Sequence, residues 1–259
     1  MTDLVRVETS DGVCTVTLHR PEARNALNTA LLRASAAALE AAEDDDAVDV
    51  IVLTGADPAF CAGLDLKELA DGGANLVGGH DDGSGRWANP IQAVWEITKP
   101  VIGAVNGACV TGGFELALGC DFLVASDRAS FGDTHARVGV TPGGGMSVFL
   151  PMAVGLRMAK EMTFTGNFID ALEAHRLGLV NDVVPHAELL ATAQRLATDI
   201  AANDGHTVRH LKQLYDHNAH LTVGDALAHE HEVFRTYRVD FAGIEQRRAA
   251  IVERGRSQQ

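Results

Sequence analysis

The chain has 259 residues, 46% of them apolar, with 35 acidic against 21 basic side chains and a formal charge of −14 at pH 7. A chain of this length and apolar content buries a sizeable core, as one large domain or one domain with an appendage, and is not a disordered polymer. The negative balance excludes a protein that grips nucleic acid or anionic lipid by diffuse attraction, because each phosphate contact needs a cation, so an anionic ligand must be held locally.

No run approaches the roughly 18 uninterrupted apolar residues of a membrane span, and the first eight residues lack the basic and then apolar pattern of a secretory leader. The expectation is a cytoplasmic protein with neither membrane nor nucleic-acid partners. Cys14, Cys61, Cys109 and Cys120 form no Cys-x-x-Cys pair and read as buried thiols of a reducing compartment.

Val5–Thr9 and Val13–Leu18 are rich in β-branched residues and flank Asp11-Gly12, which predicts a hairpin. Thr29–Glu43 is alanine- and leucine-rich, with Asn28 as N-cap and Leu31, Ser35 and Leu39 on one face, which predicts a helix. Val48–Thr54, Val101–Val105 and Phe122–Ala125 are continuous aliphatic runs, the pattern of strands buried on both faces in an α/β architecture. Residues 71–90 hold six glycines and form a loop inside the domain, either a lid or an insertion. From Pro151 onward the chain is mostly helical: Asp170 and Glu173 are spaced as a capping pair, Gly178 is a stop, Leu179–Val184 is a short strand, and long helices follow Pro185, Thr207 and Thr222.

Several chemistries find no support. No lysine follows a glycine as a phosphate-binding loop requires, and neither a Gly-x-Ser-x-Gly elbow nor a Gly-x-Gly-x-x-Gly turn is present. The histidine pairs at 206 and 210, 217 and 220, and 229 and 231 lack a His-Glu-x-x-His frame or a cysteine partner, so they read as solvated helix faces and no metal is expected.

Two segments are wrong for ordinary core yet sit at strand ends: Thr54 to Glu68, and Lys99 to Asp121. In the second, an aliphatic strand runs through Thr111 into Gly112-Gly113 and straight into a helical pattern, so free N–H groups at that helix start can face a ligand. One such amide from each segment would make an oxyanion hole able to polarise a carbonyl and stabilise an enolate. Glu115 lies one turn from the same helix start, as a candidate acid or base or as first-turn helix stabilisation.

Both segments resemble the enoyl-CoA hydratase/isomerase (crotonase) superfamily: Phe60-Cys61-Ala62-Gly63-Leu64-Asp65-Leu66-Lys67 is similar to its first oxyanion motif, and Asn106-Gly107-Ala108 through Gly112-Gly113-Phe114-Glu115 to Cys120-Asp121 to its second. Further matches run from Arg20–Asn28 to Thr165-Gly166 and Gly178-Leu179-Val180. The resemblance implies an α/β spiral of ββα turns over residues 1–190 and a helical oligomerisation region over 191–259, assembled as a homotrimer or a dimer of trimers. It implies an acyl-CoA substrate, with no cofactor beyond the coenzyme A that the substrate carries. The thioester oxygen would be received by the N–H groups of Leu64 and Gly112, with Arg24, Ala26, Ala62, Asp65, Leu66 and Lys67 along the coenzyme A.

The chain departs from that pattern in two places. Family hydratases carry a second glutamate 20 positions after the one at 115; after Phe131-Gly132 this chain has Asp133-Thr134-His135, with His135 in the second glutamate's place. An imidazole can give or take a proton near cellular pH. Three readings follow: a hydratase using Glu115 and His135, a 3-enoyl to 2-enoyl-CoA isomerase with Glu115 as its single base, and a non-catalytic acyl-CoA binder. Thr111 stands where the family often has glycine, which narrows the pocket floor. Pro142, in the run Val138–Gly145, suits the first turn of the following helix. Arg24, Lys67 and the six arginines between 235 and 256 are the cations able to meet coenzyme A phosphates.

Overall fold

Asp11 and Gly12 both adopt positive φ, +49° and +78°, and close β1 (Val5–Ser10) and β2 (Val13–Leu18) into the expected antiparallel hairpin. The computed structural model describes residues 4–72, 86–87 and 89–257. Most of the glycine-rich stretch 71–90 lies outside the described residues. Two compact units result, Met1–Lys212 and Gln213–Gln259.

In the first unit, α1 (Thr29–Asp44) follows the hairpin; Asn28 accepts the Leu31 N–H at 2.9 Å, and Leu31, Ser35 and Leu39 are buried along one face. The aliphatic runs become β3 (Val50–Gly55), β5 (Val101–Val105) and β7 (Phe122–Ser126). With β10 (Asp182–Val184) they form a six-stranded sheet of order β1-β2-β3-β5-β7-β10, parallel from β2 onward. Between successive strands of that sheet the chain contributes to a second, four-stranded sheet of order β4 (Ala59–Cys61), β6 (Ala108–Val110), β8 (Ser130–Gly132) and β9 (Ile169–Asp170). The helices α2 (Leu66–Ala70), α3 (Pro90–Glu96) and α4 (Gly112–Leu118) follow β4 and β6. A large-sheet strand, a small-sheet strand and a helix thus repeat as a spiral of ββα turns, the architecture that the resemblance implies.

Alternate residues of the large sheet feed two separate cores. Cys14, Val16, Leu18, Ile51, Leu53 and Val101 face the α1 side. Val13, Val50, Val52, Ile102 and Val124 pack against Leu189, Ala193 and Ala197 of α9 (Leu189–Ala201), so both faces are covered and the uninterrupted apolar strands are explained. All four cysteines are free and buried.

After β8 come α5 (His135–Val138), α6 (Met146–Val154), α7 (Leu156–Thr165) and α8 (Ala171–Arg176). Asp170 caps α8 by accepting the Glu173 N–H at 2.8 Å, while the Glu173 carboxylate turns to Arg176 instead of completing a reciprocal box. Pro142 does not open a helix: Gly145, at φ +91°, delays α6 until Met146, and Pro142 belongs to the loop before it. The strand expected over 179–184 is shorter, because Leu179 and Val180 are buried in the turn that precedes β10. Helix α10 (Gly205–Asn218) closes the first unit and enters the second, where α11 (Val223–Thr236), capped by Thr222, and α12 (Phe241–Ser257) follow. There the His217 and His229 rings lie 4.3 Å apart and His229 pairs with Asn218. No cluster of ligating side chains fit for a metal exists among the described residues, nor does any described helix have the length and apolarity to cross a membrane.

One fully buried polar side chain ties the early chain to the first site segment. Asn25, at φ +56°, accepts the Arg20 N–H at 2.9 Å and donates to the carbonyls of Ala56 and Ala59 at 2.8 and 2.7 Å. Asn25→Ala strands these partners and puts alanine in a left-handed conformation. It should lower stability by at least about 2 kcal/mol, read as a lower urea midpoint at unchanged m.

Candidate active site

Parallel pairing in the small sheet sets the site. Cys61 of β4 is in register with Cys109 of β6, and Leu64 and Gly112 each stand three residues further along. Neither amide donates a hydrogen bond among the described residues. Gly112 is the first residue of α4, where helix geometry leaves N–H groups unpaired. The two amides lie side by side: a Cβ on Gly112 would be 3.7 Å from the Leu64 nitrogen, and one on Gly63, at φ +91°, 3.4 Å from the Gly112 nitrogen.

The next strand adds the third piece. β6 pairs with β8 at Val110 and Gly132, which brings Asp133-Thr134-His135 beside the start of α4. The Thr111 hydroxyl is 2.6 Å from that of Thr134 and accepts the Thr134 N–H at 3.0 Å. Thr111 itself sits at φ +51°, a strained setting for a β-branched residue. Glu115 and His135 are buried, with Glu115 Oε2 3.8 Å from His135 Nε2. Glu115 Oε1 accepts the Gly144 N–H at 2.7 Å and the Met146 N–H at 3.4 Å, the service that the loop around Pro142 performs. Burial pushes the Glu115 carboxyl above the usual range, only partly offset by these amides and by His135.

A cavity of about 460 Å³ opens over these groups; Ala62, Leu64, Gly112, Glu115 and His135 line it together with the apolar Leu66, Ile91 and Trp95. The segment Arg24 to Leu27 is zipped onto the first site loop by backbone bonds: Ala62 N–H to Arg24 O at 3.0 Å, Leu27 N–H to Gly63 O at 2.7 Å, and Asp65 N–H to Leu27 O at 3.0 Å. Leu66 is exposed at the cavity wall, whereas Arg24, Ala26 and Lys67 do not line it. The Asp65 carboxylate works internally: it pairs with Arg20 at 2.6 Å and caps α2 through the Lys67 and Glu68 amides, which hold it below the usual carboxylate range despite its burial.

A match to the enoyl-CoA hydratase/isomerase family model runs over residues 8–257, nearly the whole chain. The chain belongs to that family. A probable enoyl-CoA hydratase of Rhizobium meliloti is 41% identical over 231 residues, 89% of this chain and 88% of that protein. The crystal structure of an enoyl-CoA hydratase from Mycobacterium smegmatis superposes with a TM-score of 0.74 at 47% identity, covering 90% of this chain and 97% of its own. One from Geobacillus kaustophilus gives a TM-score of 0.83 at 32% identity, covering 97% and 95%. The enoyl-CoA hydratase/isomerase spiral therefore accounts for the chain as a whole, and this member of the family is an enzyme with a histidine facing its glutamate.

Sequence reasoning missed the Trp95 wall, since it left Pro90–Glu96 unassigned, and gave Asp133 no role of its own beyond a contact with His135, whose Nδ1 lies 2.6 Å from Asp133 Oδ1. The two glycines at the start of α4 have different work. A Cβ at Gly113 would meet Cys61 O at 2.3 Å, a backbone clash, whereas one at Gly112 meets nothing closer than 3.7 Å. Gly113→Ala should fold poorly. Gly112→Ala should keep the wild-type melting temperature while its methyl crowds the paired amides, lowering kcat/KM about 100-fold; thermal melts and steady-state kinetics of both variants check the contrast.

Proposed function

We propose that this protein adds water across the 2,3 double bond of a 2-enoyl-CoA thioester. One observation carries the reading: two unpaired amides, a buried carboxylate and an imidazole meet at one end of the small sheet. In this reading the thioester oxygen accepts from Leu64 N–H and Gly112 N–H, which draws charge onto that oxygen and makes C3 electrophilic. Each preorganised donor of this kind contributes about 2.7–4 kcal/mol to the transition state.

Glu115 Oε2 and His135 Nε2, 3.8 Å apart, are too far for a direct hydrogen bond. One water oxygen can nevertheless lie within about 2.8 Å of both. The two groups act as a pair that shares one proton. As the water oxygen bonds to C3, the member without the proton accepts one from water, and the enolate held by the amides takes the other member's proton at C2. A hydroxyl then stands on C3, a hydrogen on C2, and the pair again holds one proton. No step needs a cofactor beyond coenzyme A. The single-base isomerase and the non-catalytic binder both leave His135 idle, and its ring facing Glu115 speaks against that.

Arg24, Ala26, Ala62, Asp65, Leu66 and Lys67 are assigned to the coenzyme A, Asp65 by shaping the loop rather than by its occupied carboxylate. The phosphates fall to the exposed Arg24 and Lys67, with the C-terminal arginines as further candidates. A homotrimer or a dimer of trimers, in the cytoplasm, belongs to the same proposal and is supported by family membership and by the bacterial relatives.

Purified protein incubated with crotonyl-CoA and longer 2-enoyl-CoAs should remove the conjugated thioester absorbance, and Glu115→Gln should lower kcat by about 10²- to 10⁴-fold. The wild-type pH profile should be bell-shaped: a second proton on the pair removes the acceptor at low pH, and loss of the last proton removes the donor at high pH. Because burial raises the Glu115 carboxyl, the alkaline limb should lie above the range of a free carboxylate. Glu115→Gln at the wild-type rate contradicts the assignment.

A further inference from the structure

The geometry points to Asp133 as the positioning residue that fits His135 for its exchange with water, by holding the Nδ1 proton and leaving Nε2 toward Glu115. The inference rests on the hydratase reading and adds a residue that the reaction scheme does not touch. Asp133 is fully buried at the end of β8. Its Oδ1 lies 2.6 Å from His135 Nδ1 and also accepts the His135 backbone N–H at 3.1 Å, so one oxygen fixes both the ring and the turn that carries it.

An ionised carboxylate has no proton to give, so the hydrogen of this bond belongs to Nδ1. In the neutral ring the lone pair is then on Nε2, the nitrogen that faces Glu115 Oε2. When the ring takes a second proton, the buried anion compensates the charge that forms. Burial works against ionising Asp133, but the two hydrogen bonds that join its Oδ1 to His135, with the Thr163 side chain nearby, outweigh it and hold the carboxyl below the usual range, while Oδ2 is buried without a hydrogen-bond partner among the described residues. Thr134, between the two residues, is bound through its amide and its hydroxyl to Thr111, so the turn cannot swing away from the start of α4. Among the described residues, Asp133 and Glu115 are the titratable groups facing the ring; Arg137, on the same helix, turns outward to the Thr165 carbonyl and Asn167.

The full-length Asp133→Asn variant tests this with crotonyl-CoA. Its kcat should fall at least about 100-fold with KM nearly unchanged, as when a carboxylate that orients an imidazole is lost. The acid limb of its pH profile should move to lower pH, because the protonated ring has lost its buried counter-charge; a merely structural role would lower the melting temperature and leave that limb in place. Nitrogen-15 NMR of the histidine rings, with His135→Gln to assign the signal, gives a readout independent of turnover: the neutral wild-type ring should carry its proton on Nδ1. A wild-type ring protonated on Nε2, or an Asn variant with unchanged kcat and pH profile, overturns the inference. If Asp133→Asn does not fold, the wild-type tautomer decides alone. A wild-type Nδ1–H ring in a protein that turns over no enoyl-CoA leaves the positioning of the ring by Asp133 standing and removes the hydratase reading, and with it the exchange with water.

Discussion

The parallel pairing of β4 with β6 is the constraint on which the rest of the site depends. Two short strands, in register at Cys61 and Cys109, carry the chain to Leu64 and Gly112 three residues later and set those amides side by side. The approach is too close for any side chain at Gly113, where a Cβ would overlap the Cys61 carbonyl at 2.3 Å. The thiols beneath take no part in the chemistry: burial pushes the Cys61 thiol up to about 12, so it stays protonated. The larger sheet serves this small one. Its two covered faces make a rigid support, and each turn of the spiral lifts one more short strand to the same edge.

Electrostatics at that edge follow from burial. Glu115 and Asp133 are both withdrawn from water, yet the balance tips in opposite directions. Glu115 has two amides on a single oxygen and its carboxyl is raised; Asp133 is engaged twice by His135, through the ring and the backbone N–H, and its carboxyl is lowered. Two acids on either side of one imidazole thereby gain different tendencies to hold a proton. A histidine in place of a second glutamate is thus accompanied by a neighbour that compensates it. Residues 133, 134 and 135 act together, because Thr134 locks to Thr111 while Asp133 locks to the ring.

Features decided by neighbours along the chain were legible in the sequence. Asp11-Gly12 required a turn with two positive φ values, Asn28 could cap a helix, and the unbroken aliphatic strands demanded cover on both faces. The glycine pair before a helical pattern pointed to free amides, and Glu115 lay one turn beyond. The spiral came from resemblance, since strand order cannot be read from strand content. What escaped depends on pairing between distant segments. Asn25 reads as a loop residue until its amide meets the carbonyls of Ala56 and Ala59. Asp133 has no evident task in the sequence until the β8 register buries it against the His135 ring. Pro142 suggested a helix start because proline suits that position, but the two glycines at 144 and 145 were needed to aim an amide at Glu115.

The central claim is that water enters between Glu115 and His135 while the Leu64 and Gly112 amides hold the thioester oxygen. The most direct test is turnover of crotonyl-CoA in water enriched in oxygen-18, with the product analysed by fragmentation mass spectrometry. The account predicts one heavy oxygen on C3 of a 3-hydroxyacyl-CoA, formed by the wild-type protein and lost in a His135→Ala variant that still binds the thioester. A product with a moved double bond and no heavy oxygen, or label incorporated at the same rate without His135, would contradict it.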